Sequence, residues 1–309
     1  MNTEQSRVSA AVRSLALRAS IEMTPASQAD AGKLARLLGA GTAVYVPYLP
    51  RAQFADTISA CRHLVREGLV PVPHLAARAI PSRRQLDDWL GELAAAGADS
   101  LFLIAGDTSK PRGPFSDTLQ ILETGLLQRH GFNRIGIGGF PEGHPHADTT
   151  ALRRALAFKT AYARETGTEM WFVTQFVFEA EPVAAWLQGL RDEGFALPVR
   201  IGIPGPAQLR TLLAFALRCG MGTSAKALVQ RPEIAAKLAN RWSPDTLVSS
   251  LACGCLADPS TPILGIHVFP FGGIRQSAEW LASLRETVSG MIIATSADDT
   301  ALKQEVMAS

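Results

Sequence analysis

Eight short apolar runs, each followed by a stretch of helical period, constrain this chain more than any other feature of it. The runs Ser20–Met23, Thr42–Val46, Val70–His74, Ser100–Ile104, Arg134–Gly138, Glu169–Thr174, Val199–Ile203 and Ile263–Val268 read as strands. Each is contiguous or alternating in apolar residues and stops at polar, Gly or Pro punctuation. Between them, Ala29–Leu38, Gln53–Glu67, Arg84–Ala96, Thr150–Thr166, Pro182–Glu193 and Pro206–Cys219 repeat their apolar residues at helical spacing. Ser82, Asp148 and Pro182 stand where helices open. The first seven strands begin about 22 to 35 residues apart, the repeat of a βα unit.

Eight such units in 309 residues predict an α/β fold, a (β/α)8 TIM barrel forming a single domain. A doubly wound open sheet has the same alternation. The barrel is preferred because Glu22, His74, Asp107, Glu142, His144, Gln175 and His267 all fall at or just past the C-terminal ends of predicted strands. In a barrel those ends meet at one mouth. The wide gap from Leu212 to Ser260 predicts extra helices before the last strand, at Ser224–Ala239 and Pro244–Leu251. The expected organisation is a helical extension over 1–19 with Val8, Val12, Leu15 and Leu17 inward, the barrel over 20–290, and a tail over 291–309.

With 30 Lys+Arg against 28 Asp+Glu, the net charge of +2 argues against a nucleic-acid surface. No apolar run approaches the roughly 20 residues of a membrane-spanning helix, so no membrane partner is expected. Four scattered cysteines are too few for a disulfide framework, and Cys253-Gly-Cys255 has neither redox nor zinc spacing. Cys61 and Cys219 read as core thiols. A reducing, cytoplasmic setting follows, and the first 18 residues lack the apolar stretch of a secretory signal.

Four segments could carry chemistry. Glu22, in Ser20-Ile-Glu-Met-Thr-Pro25, is a carboxyl inside an apolar strand: either a structural ion-pair partner or a general acid kept protonated by desolvation. Gly106-Asp107 ends a long apolar strand, where Gly permits close approach of a ligand and Asp either caps a turn or faces that ligand. Gly138-Gly-Phe-Pro-Glu-Gly-His-Pro-His146 is stiff, polar and rich in potential ligands. Its alternating Glu142, His144 and His146 suit a metal poorly, so no metal is expected, and hydrogen bonding to a planar or phosphorylated cofactor is the better use. In Val173-Thr-Gln-Phe-Val-Phe178, Gln175 offers a donor and an acceptor to a heterocycle, while Phe176 and Phe178 stack on a ligand or fill the core. There is no dinucleotide G-x-G-x-x-G opening a helix, no P-loop and no nucleophile elbow.

Taken in order, these segments resemble the methylenetetrahydrofolate reductase family, from about Ser20 to Trp280. The resemblance is carried by Phe140-Pro-Glu-Gly-His-Pro145, Lys159 and Thr174-Gln-Phe-Val-Phe178, with support from Glu22, His74, Gly106-Asp107 and Gly202-Ile-Pro-Gly-Pro206. It implies a barrel oxidoreductase that interconverts 5,10-methylene- and 5-methyltetrahydrofolate, with FAD and with NADH or NADPH as co-substrate. By position, Glu22 and Asp107 would be catalytic, and Gln175, Phe176 and Phe178 would bind folate. His74, Gly106, Asp107, Phe140, His144 and Lys159 would hold the flavin. The chain departs from the family at Ala105, where an Arg is usual, at Phe140, where a Tyr is usual, and around Ile21-Glu-Met-Thr-Pro-Ala26. The rival expectations are the same reaction without flavin, a corrinoid- or pterin-dependent methyltransferase, and a folate-binding barrel without catalysis. Small-molecule substrate is the expected partner, and a homo-oligomer is compatible with the outer helices.

Overall fold

A computed structural model describes residues 3–49, 52–144, 147–219 and 241–286. The predicted helix Ser224–Ala239 and the tail 291–309 lie outside these residues.

The eight predicted strands are all present, each within a residue or two of its expected end. They are β1 (Ser20–Glu22), β2 (Ala43–Val46), β3 (Val70–Ala76), β4 (Ser100–Ile104), β5 (Arg134–Gly139), β6 (Glu169–Thr174), β7 (Val199–Pro204) and, after a two-stranded ribbon, β10 (Ile263–Phe269). They close in the order β1-β10-β7-β6-β5-β4-β3-β2, and every neighbouring pair is parallel. This is a (β/α)8 barrel.

The helices are α1 (Thr3–Leu17), α2 (Ala31–Leu38), α3 (Phe54–Arg66), α4 (Arg83–Ala95), α5 (Thr118–Leu122), α6 (Leu126–Arg129), α7 (Thr149–Thr166), α8 (Glu181–Asp192), α9 (Leu209–Arg218), α10 (Asp245–Ala257) and α11 (Ile274–Glu286). Two predicted helices start late. Pro25–Asp30 is a separate 3-10 turn before α2, because Pro25 can open a turn but cannot donate within one. Pro206–Cys219 begins as β8 (Ala207–Gln208), which pairs with β9 (Arg241–Trp242) and delays α9 to Leu209. Of the extra helices expected before β10, Pro244–Leu251 is present as α10.

Period-2 alternation sorts the strand side chains into two layers. Outward residues such as Ile21, Val44, Leu103, Ile137, Ile201 and Val268 join the main core beneath the helices. Inward residues Tyr45, Val72, Phe102 and Val173, with Trp171 against them, fill the barrel itself. Gly136 makes that filling possible. A Cβ there would lie 3.0 Å from both Phe102 and the Trp171 indole.

α1 packs against α10, α11 and β10 at the end of the barrel where strands begin. Arg13 Nε donates to Arg285 O at 2.8 Å, and Arg285 Nε donates to Ala16 O at 2.9 Å. Leu15 is buried and Val8 and Val12 half-buried, but Leu17, expected inward, is 54% exposed. Ala16 takes the inward place as the helix ends.

Candidate functional site

Ser20 and Glu22 alternate along β1 and so project to the same side, into the barrel. The register sets Ser20 beside His267 of β10 and Glu22 beside Tyr45 of β2. The fully buried Ser20 Oγ lies 2.9 Å from His267 Nδ1. When Ser20 donates that bond, the imidazole proton sits on Nε2, which faces Glu22 Oε1 at 3.7 Å. From the other side His74 Nε2 approaches the same oxygen at 3.5 Å. One carboxyl therefore stands between two imidazoles, and its side chain remains 17% exposed while theirs are 8% and 1%.

Neither imidazole gives Glu22 a cation near pH 7. Burial pulls His74 from 6.5 down to about 4, the Glu22 carboxylate opposing and His267 adding to the fall. His267 is lowered for the same first reason, with Glu22 again opposing. The contacts are those of neutral rings around an acid, not of ion pairs. Below them Tyr45 forms the floor, 4.5 Å from the His267 ring and 6.1 Å from the His74 ring. Its hydroxyl accepts from Trp171 Nε1 at 2.8 Å, and burial pushes it up to about 12. Ser20, Tyr45 and Trp171 were not singled out in the sequence, although Ser20 shares the face of Glu22.

His74 and His267 lie inside β3 and β10 rather than at their tips. The strand-end groups are Asp107 and Gln175. Gly106 has φ +90°, and a Cβ there would come within 3.2 Å of the Ala76 methyl, so glycine lets this loop lie on the end of β3. Asp107 beyond it is exposed. The Cys219 thiol is pushed up first by burial and then by Asp107, with Glu22 contributing less. Cys219, expected in the core, is half-buried, because it caps the end of α9 rather than lying on its inner face. Gln175 is anchored by its backbone N–H to Gly139 O at 2.8 Å, and its Oε1 accepts from Phe176 N at 3.1 Å. Its amide nitrogen has no partner among the described residues.

Phe176 and Phe178 sit in a second core cluster rather than on open surface. The Phe176 ring lies 5.8 Å from Phe178, 5.7 Å from Phe269 and 4.9 Å from Phe271, all edge-on. They back the rim and leave its partly exposed aromatic positions to Phe269 and Phe271. In the loop after β5, Phe140 meets the His144 ring edge-on at 4.5 Å, and Gly143, at φ +89°, turns the chain back between them. His146, the third residue of the metal possibility, lies outside the described residues. Among the described residues no group of three or more His, Cys, Asp or Glu side chains has the geometry to hold a metal ion.

Lys159, on α7, is half-buried, and burial lowers it from 10.5 to about 8, with Asp117 opposing. No hydrogen bond or ion pair to it exists among the described residues. The neighbouring Thr160 Oγ1 is buried and also lacks a partner among them. Lys159 is thus a partly desolvated ammonium on which Asp117 acts from a distance.

No family model matches the sequence. Among solved structures, a conserved protein of unknown function from Enterococcus faecalis is similar at 13% identity and TM-score 0.48, over 87% of this chain and 65% of that one. The chain thus spans less than two thirds of that protein. Dihydropteroate synthase from Thermus thermophilus, in complex with 6HMPPP, is similar at 16% identity and TM-score 0.45, over 86% of this chain and 90% of that one. The architecture stands on the strand order itself, and no activity passes from these proteins to this one. Among the described residues no helix is long and apolar enough to cross a membrane.

Proposed function

We propose that this protein is an oxidoreductase of the methylenetetrahydrofolate reductase kind, interconverting 5,10-methylene- and 5-methyltetrahydrofolate with NADH or NADPH. The observation that carries the reading is the Glu22 carboxyl, held between two neutral imidazoles inside a barrel and open to the mouth. In the reductive direction its proton goes to a nitrogen of the methylene bridge, and the C–N bond there breaks to leave an iminium. A hydride from the nicotinamide then adds to the iminium carbon, which becomes the methyl group. The ionised Glu22 left behind faces Nε2 of His267 and of His74. Asp107 at the rim favours the cationic iminium, and the free Gln175 amide suits the pterin edge.

Lys159, a partly desolvated ammonium, is the residue that would hold the phosphate end of FAD. His74 turns its Nε2 to Glu22, so any flavin contact falls to its other edge. FAD, when bound, would accept hydride from the nicotinamide and release it to the folate. A specific observation also favours direct transfer without flavin: Phe140 has no hydroxyl to donate and its ring is already engaged by His144.

The test is anaerobic incubation with 5,10-methylenetetrahydrofolate and NADH or NADPH, with and without added FAD, assaying 5-methyltetrahydrofolate. Product only with FAD supports the flavin route, and product in both supports direct transfer. No product in either removes the assignment.

A further inference from the structure

A cavity of about 440 Å³ opens between the loops that follow β2, β3 and β4. That volume suits a small ring system. None of its lining residues belongs to the Glu22 site. One wall is aromatic: Phe54 and Trp89 stack at 4.0 Å and 15°, and Tyr48 stands 6.1 Å from Phe54. Gln85 and Arg112 are the polar long side chains of the lining beside Gln53, and Arg112 is the single formal charge among the described lining residues. Arg112 is exposed, and its guanidinium has no hydrogen bond or ion pair within the described residues.

This arrangement is built rather than incidental. The Arg112 N–H donates to Arg78 O at 2.9 Å, and Arg78 Nε donates to Ser116 O at 2.8 Å, tying both ends of the segment to the loop after β3. Gly113 lies so close to that loop that a Cβ would fall 2.2 Å from Pro81 O, so the chain beside Arg112 follows one path. The cavity thus pairs a fixed aromatic wall with an exposed guanidinium on an anchored backbone, and its described lining contains no carboxylate to compete for that cation.

We propose that this cavity binds a planar aromatic ligand bearing an acidic group, its ring against the Tyr48–Phe54–Trp89 wall and its carboxylate or phosphate on Arg112. Aromatic faces select flat rings, and a guanidinium takes carboxylate or phosphate in two parallel hydrogen bonds. Two sources share this chemistry, an aryl carboxylate and an adenine nucleotide. The proposal does not depend on the folate reading.

The full chain is titrated with 4-aminobenzoate and, separately, with AMP, by calorimetry and by following tryptophan indole N–H resonances. Of the five tryptophans, the resonance missing in Trp89→Phe identifies Trp89. The expected result is that one probe binds and shifts that resonance, with Arg112→Gln weakening it about ten- to a hundredfold. The probe that binds names the source. Failure of both probes to shift the Trp89 resonance, or Arg112→Gln binding like the wild type, overturns the proposal.

Discussion

At the scale of single residues, the buried imidazole beside Glu22 makes folding depend on pH. His74 is lowered from 6.5 to about 4 in the folded protein, so its contribution is fully present above the unfolded value and is lost as pH falls toward the folded one. Between about pH 7.5 and pH 5 this amounts to roughly 2 kcal/mol. Denaturant unfolding should show that loss in the wild type and a shallower dependence in His74→Asn. Equal slopes would mean that His74 is not held neutral by burial. Gly136 answers a different question. Gly136→Ala puts a methyl against Phe102 and Trp171 at 3.0 Å, and overpacking of that kind costs about 1–3 kcal/mol. A thermal midpoint unchanged from the wild type would show that the barrel filling can yield. Glu22 was visible in the sequence as an odd carboxyl in an apolar strand, but the role of Gly136 was not, because the rings that need its space come from β4 and β6.

Elements were the most legible level, since each depends on local period and on its own caps. The two predicted helices that shifted did so because Pro25 and the β8–β9 pairing altered how they begin. α7 shows the local rule acting without interference: Asp148 Oδ1 accepts from Ala151 N at 2.8 Å, as its position before the helix predicts. Asp148→Ala should cost about 1 kcal/mol, measured by denaturant unfolding. It should also loosen the helix that carries Lys159. No loss of stability would mean that tertiary packing alone holds α7 in place. The short α5 and α6 between β4 and β5 had no comparable signal, being five and four residues long. Phe176 and Phe178 illustrate the same boundary. Their spacing fits a strand end, while their burial depends on α9, β10 and Trp242 arriving from elsewhere.

For the whole molecule, the site exists only because the barrel closes. Ser20 and His267 are 247 positions apart in the chain and meet through the β1–β10 register. His267 could be placed near the mouth from sequence, but its bond to Ser20 and its approach to Glu22 follow from closure alone. Under the proposed function, Glu22 is the group through which the assembled barrel acts. Its most direct test compares wild type and Glu22→Gln for both turnover and binding of 5,10-methylenetetrahydrofolate. The expected result is binding within a few-fold of wild type and turnover reduced by about 10²–10⁴, the range of a lost general acid. Turnover retained at the wild-type rate would contradict the account.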